Sequence, residues 1–140
     1  MYGGEHMNIK FWDIENKIMY ENTSSFAIGC NGEVSQLIYH ESEENDCVEW
    51  EGTEYSKHIK PIFSTGVKDR NGKEIFAGDI VHIENMLISN EEPLDGVVVF
   101  HEGAWWVDNE EECRAKSLWG ECNYLRVKGN IYENPELVND

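Results

Sequence analysis

Short alternations of apolar and polar residues, separated by turn-forming residues, run along most of this chain and predict a mainly β protein. In the N-terminal half, Asn8 to Trp12 and Lys17 to Tyr20 are predicted to form one hairpin. Phe26 to Ile28 and Val34 to Tyr39 are predicted to form a second. Each pair is joined by a short polar segment of the kind that closes hairpins.

The C-terminal half has the clearer strand pattern. Its predicted strands span Ile80 to Ile88, Gly96 to Phe100, Ala104 to Val107, Leu125 to Val127 and Asn130 to Tyr132. The segment from Glu111 to Leu118 is the one stretch whose pattern allows a helix.

Two predicted turns lie in the middle of the chain. Asn71-Gly72 is the dipeptide that most readily supplies two successive positive φ values, and Asp69 can stabilise such a turn by bonding its own backbone. Gly78-Asp79 forms a second turn that leads into the strand beginning at Ile80. The exposed Arg70 and Lys73 also allow an anion site, although a plain hairpin tip is the favoured explanation.

Three segments of the chain carry a recognisable pattern: Thr65 to Val81, which includes Gly66, then Ile9 to Asp13 with Glu15 to Lys17, and Lys128 to Leu137. Together they resemble the YopX family of phage and prophage proteins. The resemblance covers nearly the whole chain. It implies a phage origin and a small β-rich fold, and the family brings no assigned biochemical activity.

The chain divides by pattern into three parts. Residues 1–6 precede a second methionine, and codons for Gly3, Gly4 and Glu5 can form a purine-rich ribosome-binding sequence just upstream of it. We interpret residues 1–6 as a translated leader or a short extension. Residues 7–62 are predicted to form a small N-terminal α+β part, and residues 63–140 a C-terminal SH3-like barrel, by fold-level analogy.

Acidic residues dominate the charge of the chain. The sequence has 28 Asp and Glu against 11 Lys and Arg, a formal net charge of −17. The acids concentrate in predicted loops at residues 41–46, 91–92 and 108–112, whereas the bases are scattered. Binding to a phosphate backbone requires clustered bases, so direct nucleic-acid binding is not expected. The acidic runs are either a solvated surface or a mimic of DNA charge that occupies a basic groove on a host protein.

Membrane, secreted and metal-binding classes find no support in the sequence. No apolar run reaches the roughly 18 residues of a membrane span, and no secretory signal is evident. Cys30, Cys47, Cys113 and Cys122 lack both the Cys-x-x-Cys spacing of zinc sites and the density of a disulfide framework. We therefore expect reduced cysteines and a cytoplasmic protein of the bacterial host.

Catalytic patterns are also lacking, so neither an enzyme nor a cofactor is expected. His82 and Glu84 share one strand face by their spacing, and Asp79 is close in sequence. A metal or acid–base pair fits that spacing, as do plain polar residues on a solvent face.

The pair Trp105-Trp106 is the best candidate for a recognition surface. Neighbours on a strand point to opposite faces, so one indole fills the core and the other lies outside, near His101, Trp119 or Tyr124. Such a surface suits a subunit contact, simple packing or peptide capture. The sequence therefore predicts a non-enzymatic accessory or interaction protein that forms a homo-oligomer and binds a host or phage protein.

Overall fold

The structure is a computed structural model that describes residues 8–41, 48–87 and 91–138. The chain forms two compact units: one is Ile9–Pro61, and the other is Ile62–Asp140 together with Asn8. Within the described residues, regular structure consists of twelve β-strands and one 3-10 helix, so the protein is mainly β as predicted. No described helix has the length and apolar character needed to cross a membrane. The predicted leader and nearly all of the acidic run at residues 41–46 lie outside the described residues.

The N-terminal unit is built from strands. They are β1 (Ile9–Asp13), β2 (Ile18–Tyr20), β3 (Phe26–Ile28), β4 (Val34–Glu41) and β5 (Val48–Tyr55). β1 and β2 form an antiparallel hairpin, and β3, β4 and β5 form a three-stranded antiparallel sheet. The helical component predicted for residues 7–62 is not found in the described parts of this unit, which contain only strands, turns and irregular segments.

Asp13 closes the first hairpin where a short polar turn was predicted. Its carboxylate accepts hydrogen bonds from the backbone N–H groups of Glu15 and Asn16, both at 3.0 Å. The hydrogen bonds from the backbone and side chain of Asn16 are the main cause of a lowered pKa at Asp13. Lys17 completes the turn with a φ of +57°. The charged carboxylate thus satisfies backbone donors that the turn leaves without strand partners.

A small aromatic core supports the N-terminal unit. The buried residues are Phe11, Val34 and Ile59, and Tyr20, Phe26 and Ile28 pack against them. The rings of Phe11 and Phe26 lie 4.9 Å apart, and Tyr20 meets Phe26 edge-on at 5.4 Å. Rings supply large buried area per residue, which suits a unit with so few core positions.

The C-terminal unit contains a five-stranded antiparallel sheet. Its strands are β8 (Asp79–Asn85), β9 (Leu94–His101), β10 (Ala104–Asn109), β11 (Arg114–Ser117) and β12 (Asn123–Asn130), in the order β11-β10-β9-β8-β12. β6 (Ile59–Lys68) enters from the first unit and pairs with β7 (Glu74–Phe76). A 3-10 helix, Pro135–Leu137, follows β12.

One face of this sheet forms the main hydrophobic core. The buried residues are Ile75, Val81, Ile83, Leu94, Val98, Val107, Leu118 and Leu125, with Val67, Trp105 and Val127 packed against them. Alternate positions on β8, β9 and β10 contribute to it, as strand periodicity requires. The β6–β7 hairpin contributes Val67 and Ile75, so it packs on the same face of the sheet.

Two sequence predictions fail in the C-terminal unit. The segment from Glu111 to Leu118 is not a helix, because residues 110–113 turn and Arg114–Ser117 pairs with β10 as β11. Cys113 takes a φ of +52° in that turn, which ends any helical path. Asn130 to Tyr132 is not a separate strand: the Asn130 carboxamide accepts the N–H groups of Tyr132 and Glu133, which bends the chain away from β12.

Asp69 organises the turn between β6 and β7. Its buried carboxylate accepts the N–H groups of Asn71 and Lys73 at 2.9 Å, and that of Val127 on β12 at 3.1 Å. Gly72 donates to the Asp69 carbonyl at 3.0 Å. Within this turn only Gly72 takes a positive φ, of +79°. The sequence had predicted positive φ values at both Asn71 and Gly72. A hydrogen bond from residue i+3 to residue i, closed by a single left-handed glycine, is typical of the longer type of hairpin loop, which carries a β-bulge.

Gly66 and Gly78 also adopt positive φ values. Gly66, with φ +78°, lies in the irregular stretch of β6 between Ser64 and Lys68, where pairing with β7 shifts register. Gly78, with φ +84°, is buried and donates to the Val98 carbonyl at 2.8 Å. A Cβ atom at Gly78 would lie 2.7 Å from the ring of Tyr132.

Asp79 acts in the same turn through its side chain. Its buried carboxylate accepts the backbone N–H of Phe76 at 2.9 Å. The carbonyl of Gly78 accepts the N–H of Ile131, so this turn also fixes the start of the C-terminal segment. Asp79 is therefore a structural residue here.

Alanine substitutions at Gly72 and at Gly78 should lower the stability by unequal amounts. Gly72→Ala introduces only the backbone strain of a left-handed residue, since nothing lies within 4 Å of the added atom, and should cost about 1 kcal/mol. Gly78→Ala adds overlap with Tyr132 and should cost about 1–3 kcal/mol more. Urea unfolding of both variants measures the difference. Equal losses would show that the Tyr132 ring moves aside freely.

Candidate interaction surface

The outer face of the five-stranded sheet carries the polar and aromatic side chains that the core does not use. Trp106 and Asp108 on β10 alternate with the buried Val107, and His82 and Glu84 on β8 alternate with buried residues in the same way. Because one side of each strand is committed to the core, these side chains are held at fixed positions on the opposite side.

Trp105 and Trp106 have different surroundings. Trp105 packs against the core, and its ring meets that of Phe100 edge-on at 5.1 Å. Trp106 is half-buried, and its indole N–H donates to the His101 carbonyl at 3.1 Å. Phe100 itself is 61% exposed. Trp105 thus contacts both the core and the exposed Phe100 near the end of β9.

A hollow of about 500 Å³ lies beside Trp106. It is lined by Val99, Phe100, His101, Trp106, Asp108 and Ala115, and we call it the Trp106 hollow. Ala115 belongs to β11, the strand at one edge of the sheet. The hollow therefore extends from the aromatic residues to the edge strand.

The structure does not gather all four predicted surface aromatics in one place. Trp119 is 70% exposed in the connection between β11 and β12. Tyr124 lies on β12, which is separated from the Trp106 strand by β9 and β8. Three strand spacings amount to about 14 Å, so Trp106 and Tyr124 do not share a groove.

Tyr124 instead belongs to a second groove, of about 490 Å³, that sequence reasoning missed. Arg70 lies over the Tyr124 ring, with its guanidinium carbon 4.8 Å from the ring centroid. Met86 and Leu87, which are 65% and 77% exposed, line the same groove. We call it the Arg70 groove. The only signal in the sequence was the exposed basic residues of the turn, because nothing local places residue 70 beside residue 124.

His82 is the centre of a charged network on the outer face. Its Nδ1 contacts a carboxylate oxygen of Asp95 at 2.6 Å, and its Nε2 contacts one of Glu84 at 2.9 Å. Both ring nitrogens can donate only when the imidazole is protonated. Lys128 Nζ reaches the other Asp95 oxygen at 2.9 Å, and Arg126 is the cross-strand neighbour of His82.

This network shifts two pKa values. The hydrogen bond that the imidazolium of His82 donates to Glu84 raises the pKa of His82; partial burial opposes this shift, and Asp95 adds to it. Partial burial opposes ionisation of Asp95, but its bonds to Lys128 and His82 outweigh that effect and lower its pKa. Asp79 is not part of the network, because it lies on the core face of β8, whereas His82 and Glu84 lie on the outer face. Within residues 8–41, 48–87 and 91–138, no group of three His, Cys, Asp or Glu side chains is arranged to hold a metal ion.

Ion pairs bring two acidic runs together at one end of the sheet. Arg114 Nη1 lies 3.2 Å from a Glu112 carboxylate oxygen and 3.9 Å from one of Glu92. Lys116 Nζ lies 3.2 Å from a Glu91 oxygen and donates to the Glu92 carbonyl at 2.8 Å. The loop at residues 91–92 therefore contacts the Arg114 and Lys116 side chains, close to the turn at residues 110–112.

The raised pKa of His82 predicts a pH-dependent stability. A pKa raised by folding gives stabilisation that is complete below the unfolded value of about 6.5 and lost as pH rises through the folded value. Wild type should therefore exceed His82→Gln in stability at about pH 6, and the difference should shrink towards pH 9. Urea unfolding of both proteins across this range checks it, and other histidines cancel in the comparison. A constant difference would mean that His82 is not protonated in the folded state.

Comparisons with known proteins identify the family. The family described as YopX protein matches residues 10–139. The fold is similar to a crystal structure of protein yopX from Bacillus subtilis, with 23% identity and a TM-score of 0.59, covering 93% of this chain and 96% of that one. It is also similar to protein EF1440 from Enterococcus faecalis, with 21% identity and a TM-score of 0.56, covering 96% and 99%. No curated protein matches significantly. Because the family match spans nearly its whole length, this chain belongs to the YopX family.

Proposed function

We propose that this chain is a non-enzymatic accessory protein of a phage or prophage that acts in the bacterial cytoplasm by binding proteins. The observation that carries the proposal is the Trp106 hollow, which is lined by Phe100, 61% exposed, and by Ala115 of the edge strand β11. Exposed aromatic residues beside an open sheet edge favour contact with another chain.

The polar residues of the family-like segments support a binding role over catalysis. Asp69 and Asp79 bond backbone N–H groups in turns, and Asn130 does the same after β12. Side chains occupied in this way shape the fold and are not available for a substrate. The family resemblance supports the phage association.

We infer that the C-terminal unit is a small SH3-like barrel. The β6–β7 hairpin supports this, because its Val67 and Ile75 pack in the same core as the five-stranded sheet. The turn at Asp69 also contacts the outer edge of β12, where Arg70 donates its N–H to the Leu125 carbonyl at 2.9 Å. Covering that edge leaves β11 as the edge at which another chain has room to pair.

The partner at β11 that we propose is a second copy of the chain. Antiparallel pairing of two β11 strands around a two-fold axis joins the two sheets and uses the same patch twice. Ala115 and Ser117 present small side chains on the outer face, so they leave space for the partner. The turns at residues 110–112 then lie at opposite ends of the pair, where salt screens their repulsion.

Light scattering at moderate salt tests the homo-oligomer. Wild type should have at least twice the mass of one chain, and Trp106→Ser and Ala115→Glu should both give monomers. Trp119→Ser is the matched control, because it removes an exposed indole outside the Trp106 hollow and should leave the mass unchanged. Thermal unfolding confirms that each variant is folded. A wild-type monomer would contradict the proposal and leave the exposed aromatics for peptide capture.

An acidic DNA mimic is the second candidate. It is favoured by the ion pairs of Arg114 and Lys116, which hold residues 91–92 beside residues 110–112 and so concentrate carboxylates at one end of the sheet. Duplex DNA likewise presents closely spaced negative charges.

Competition for a DNA-binding protein tests mimicry. If the chain is a mimic, it should displace a labelled DNA duplex from an HU-type nucleoid protein, with an affinity that falls steeply as salt rises. Replacing Glu91, Glu92, Glu110, Glu111 and Glu112 by Gln should abolish displacement. No displacement by wild type at low salt would rule against mimicry of this kind.

A further inference from the structure

The Arg70 groove lies between the β6–β7 turn, the end of β8 and the start of β12. Its walls are held by backbone bonds: Arg70 donates its N–H to the Leu125 carbonyl, and Met86 donates to the Cys122 carbonyl, both at 2.9 Å. The adjacent Asp69 carboxylate fixes the turn to β12. The groove is therefore formed by three segments that the fold already fastens together.

Arg70 is held by an aromatic ring, in contrast to the cations that pair with carboxylates elsewhere on the sheet. Arg114 and Lys128 pair with carboxylates, as expected where 28 acidic residues surround 11 basic ones. The Arg70 guanidinium forms no ion pair with any residue in the described part of the chain and instead stacks on Tyr124. Stacking holds the planar group in place while leaving its N–H donors at the edge for a ligand.

Apolar side chains lie beside this cation. Met86 and Leu87 are adjacent in sequence and are 65% and 77% exposed, among the most exposed large apolar side chains of the described residues. Leu87 has its backbone fixed by a bond from its N–H to the Asn85 side chain at 2.9 Å. Methionine adapts its shape readily to an apolar ligand. The groove thus offers a positioned cation and an adaptable apolar wall.

Glu121 limits which ligands suit the groove. It lines the groove with Arg70 and Lys68, so the local charge is mixed. A polyanion such as a nucleic acid would meet this carboxylate as well as the net charge of −17. A single carboxylate carries one negative charge, so it would incur both penalties to a smaller degree, and an apolar neighbour would add contact with Met86 and Leu87.

We propose that the Arg70 groove binds a segment of a partner protein in which one acidic residue stands next to an aliphatic or aromatic residue. The acid forms a bidentate pair with Arg70, and the apolar neighbour packs on Met86 and Leu87. The inference names a partner class for the interaction role proposed above, and it uses a surface separate from the Trp106 hollow.

Two synthetic peptide pools test the proposal. Both are capped peptides with randomised flanks around a central pair, which is Glu followed by an apolar residue in one pool and Gln followed by the same residue in the other. Nitrogen-15 NMR of the full chain should show shifts at Arg70, Leu87 and Tyr124 with the Glu pool, at about tenfold lower concentration than with the Gln pool.

Variants then assign the contacts. Arg70→Gln should remove the preference for the Glu pool, and Met86→Ser with Leu87→Ser should weaken binding of both pools. Arg114→Gln is the charge-matched control, because β11 lies at the opposite edge of the sheet from β12, and it should leave binding unchanged. Glu121→Gln should tighten binding of the Glu pool.

Several outcomes would overturn the proposal. They are equal binding of the two pools, shifts outside the groove, or a preference that survives Arg70→Gln. Tighter binding of a single-stranded oligonucleotide than of the Glu pool would assign the groove to a polyanion and also contradict it. Repeating the titration with the Trp106→Ser variant separates the two proposals, since the groove should bind equally well whether or not the chain self-associates.

Discussion

A single buried carboxylate, that of Asp69, joins the β6–β7 turn to strand β12. It accepts two N–H groups from its own turn and one from Val127, 58 positions away. Hydrogen bonds to a charged group contribute about 1.5–3 kcal/mol each, and loss of the carboxylate would leave three N–H groups without this acceptor. The bond to Val127 also determines where Arg70 lies. The groove above Tyr124 therefore depends on a turn that forms outside the sheet.

The segments that resemble the YopX family serve mainly to form turns in this chain. Gly72 and Gly78 take positive φ values, and Asp13, Asp69 and Asp79 satisfy backbone donors in turns. Such positions are demanding because only a few residue types fit them. Because these residues are occupied in forming turns, resemblance in these segments points to a fold and leaves the partner open.

Local patterns predicted much of the fold because strand alternation and turn chemistry are short-range. The Asp13 hairpin and the strands flanking Gly103 follow from them. The segment from Glu111 to Leu118 was misjudged because its pairing with β10 and the packing of Leu118 in the core outweigh local helical preference. The Arg70 groove was beyond prediction for a related reason. Residues 70, 86 and 124 meet only through contacts between distant segments.

Charge is unevenly distributed across the C-terminal sheet. For the binding of a partner, this distribution matters more than the net charge of the chain. Acidic residues gather at the β11 edge, where Arg114 and Lys116 hold residues 91–92 near residue 112. Arg70 and Arg126 lie at the β12 edge, about 19 Å away across four strand spacings. At physiological salt the Debye length is about 8 Å, so each edge presents its own charge to a partner. A chain with a large net negative charge can therefore still offer a cation to an acidic ligand.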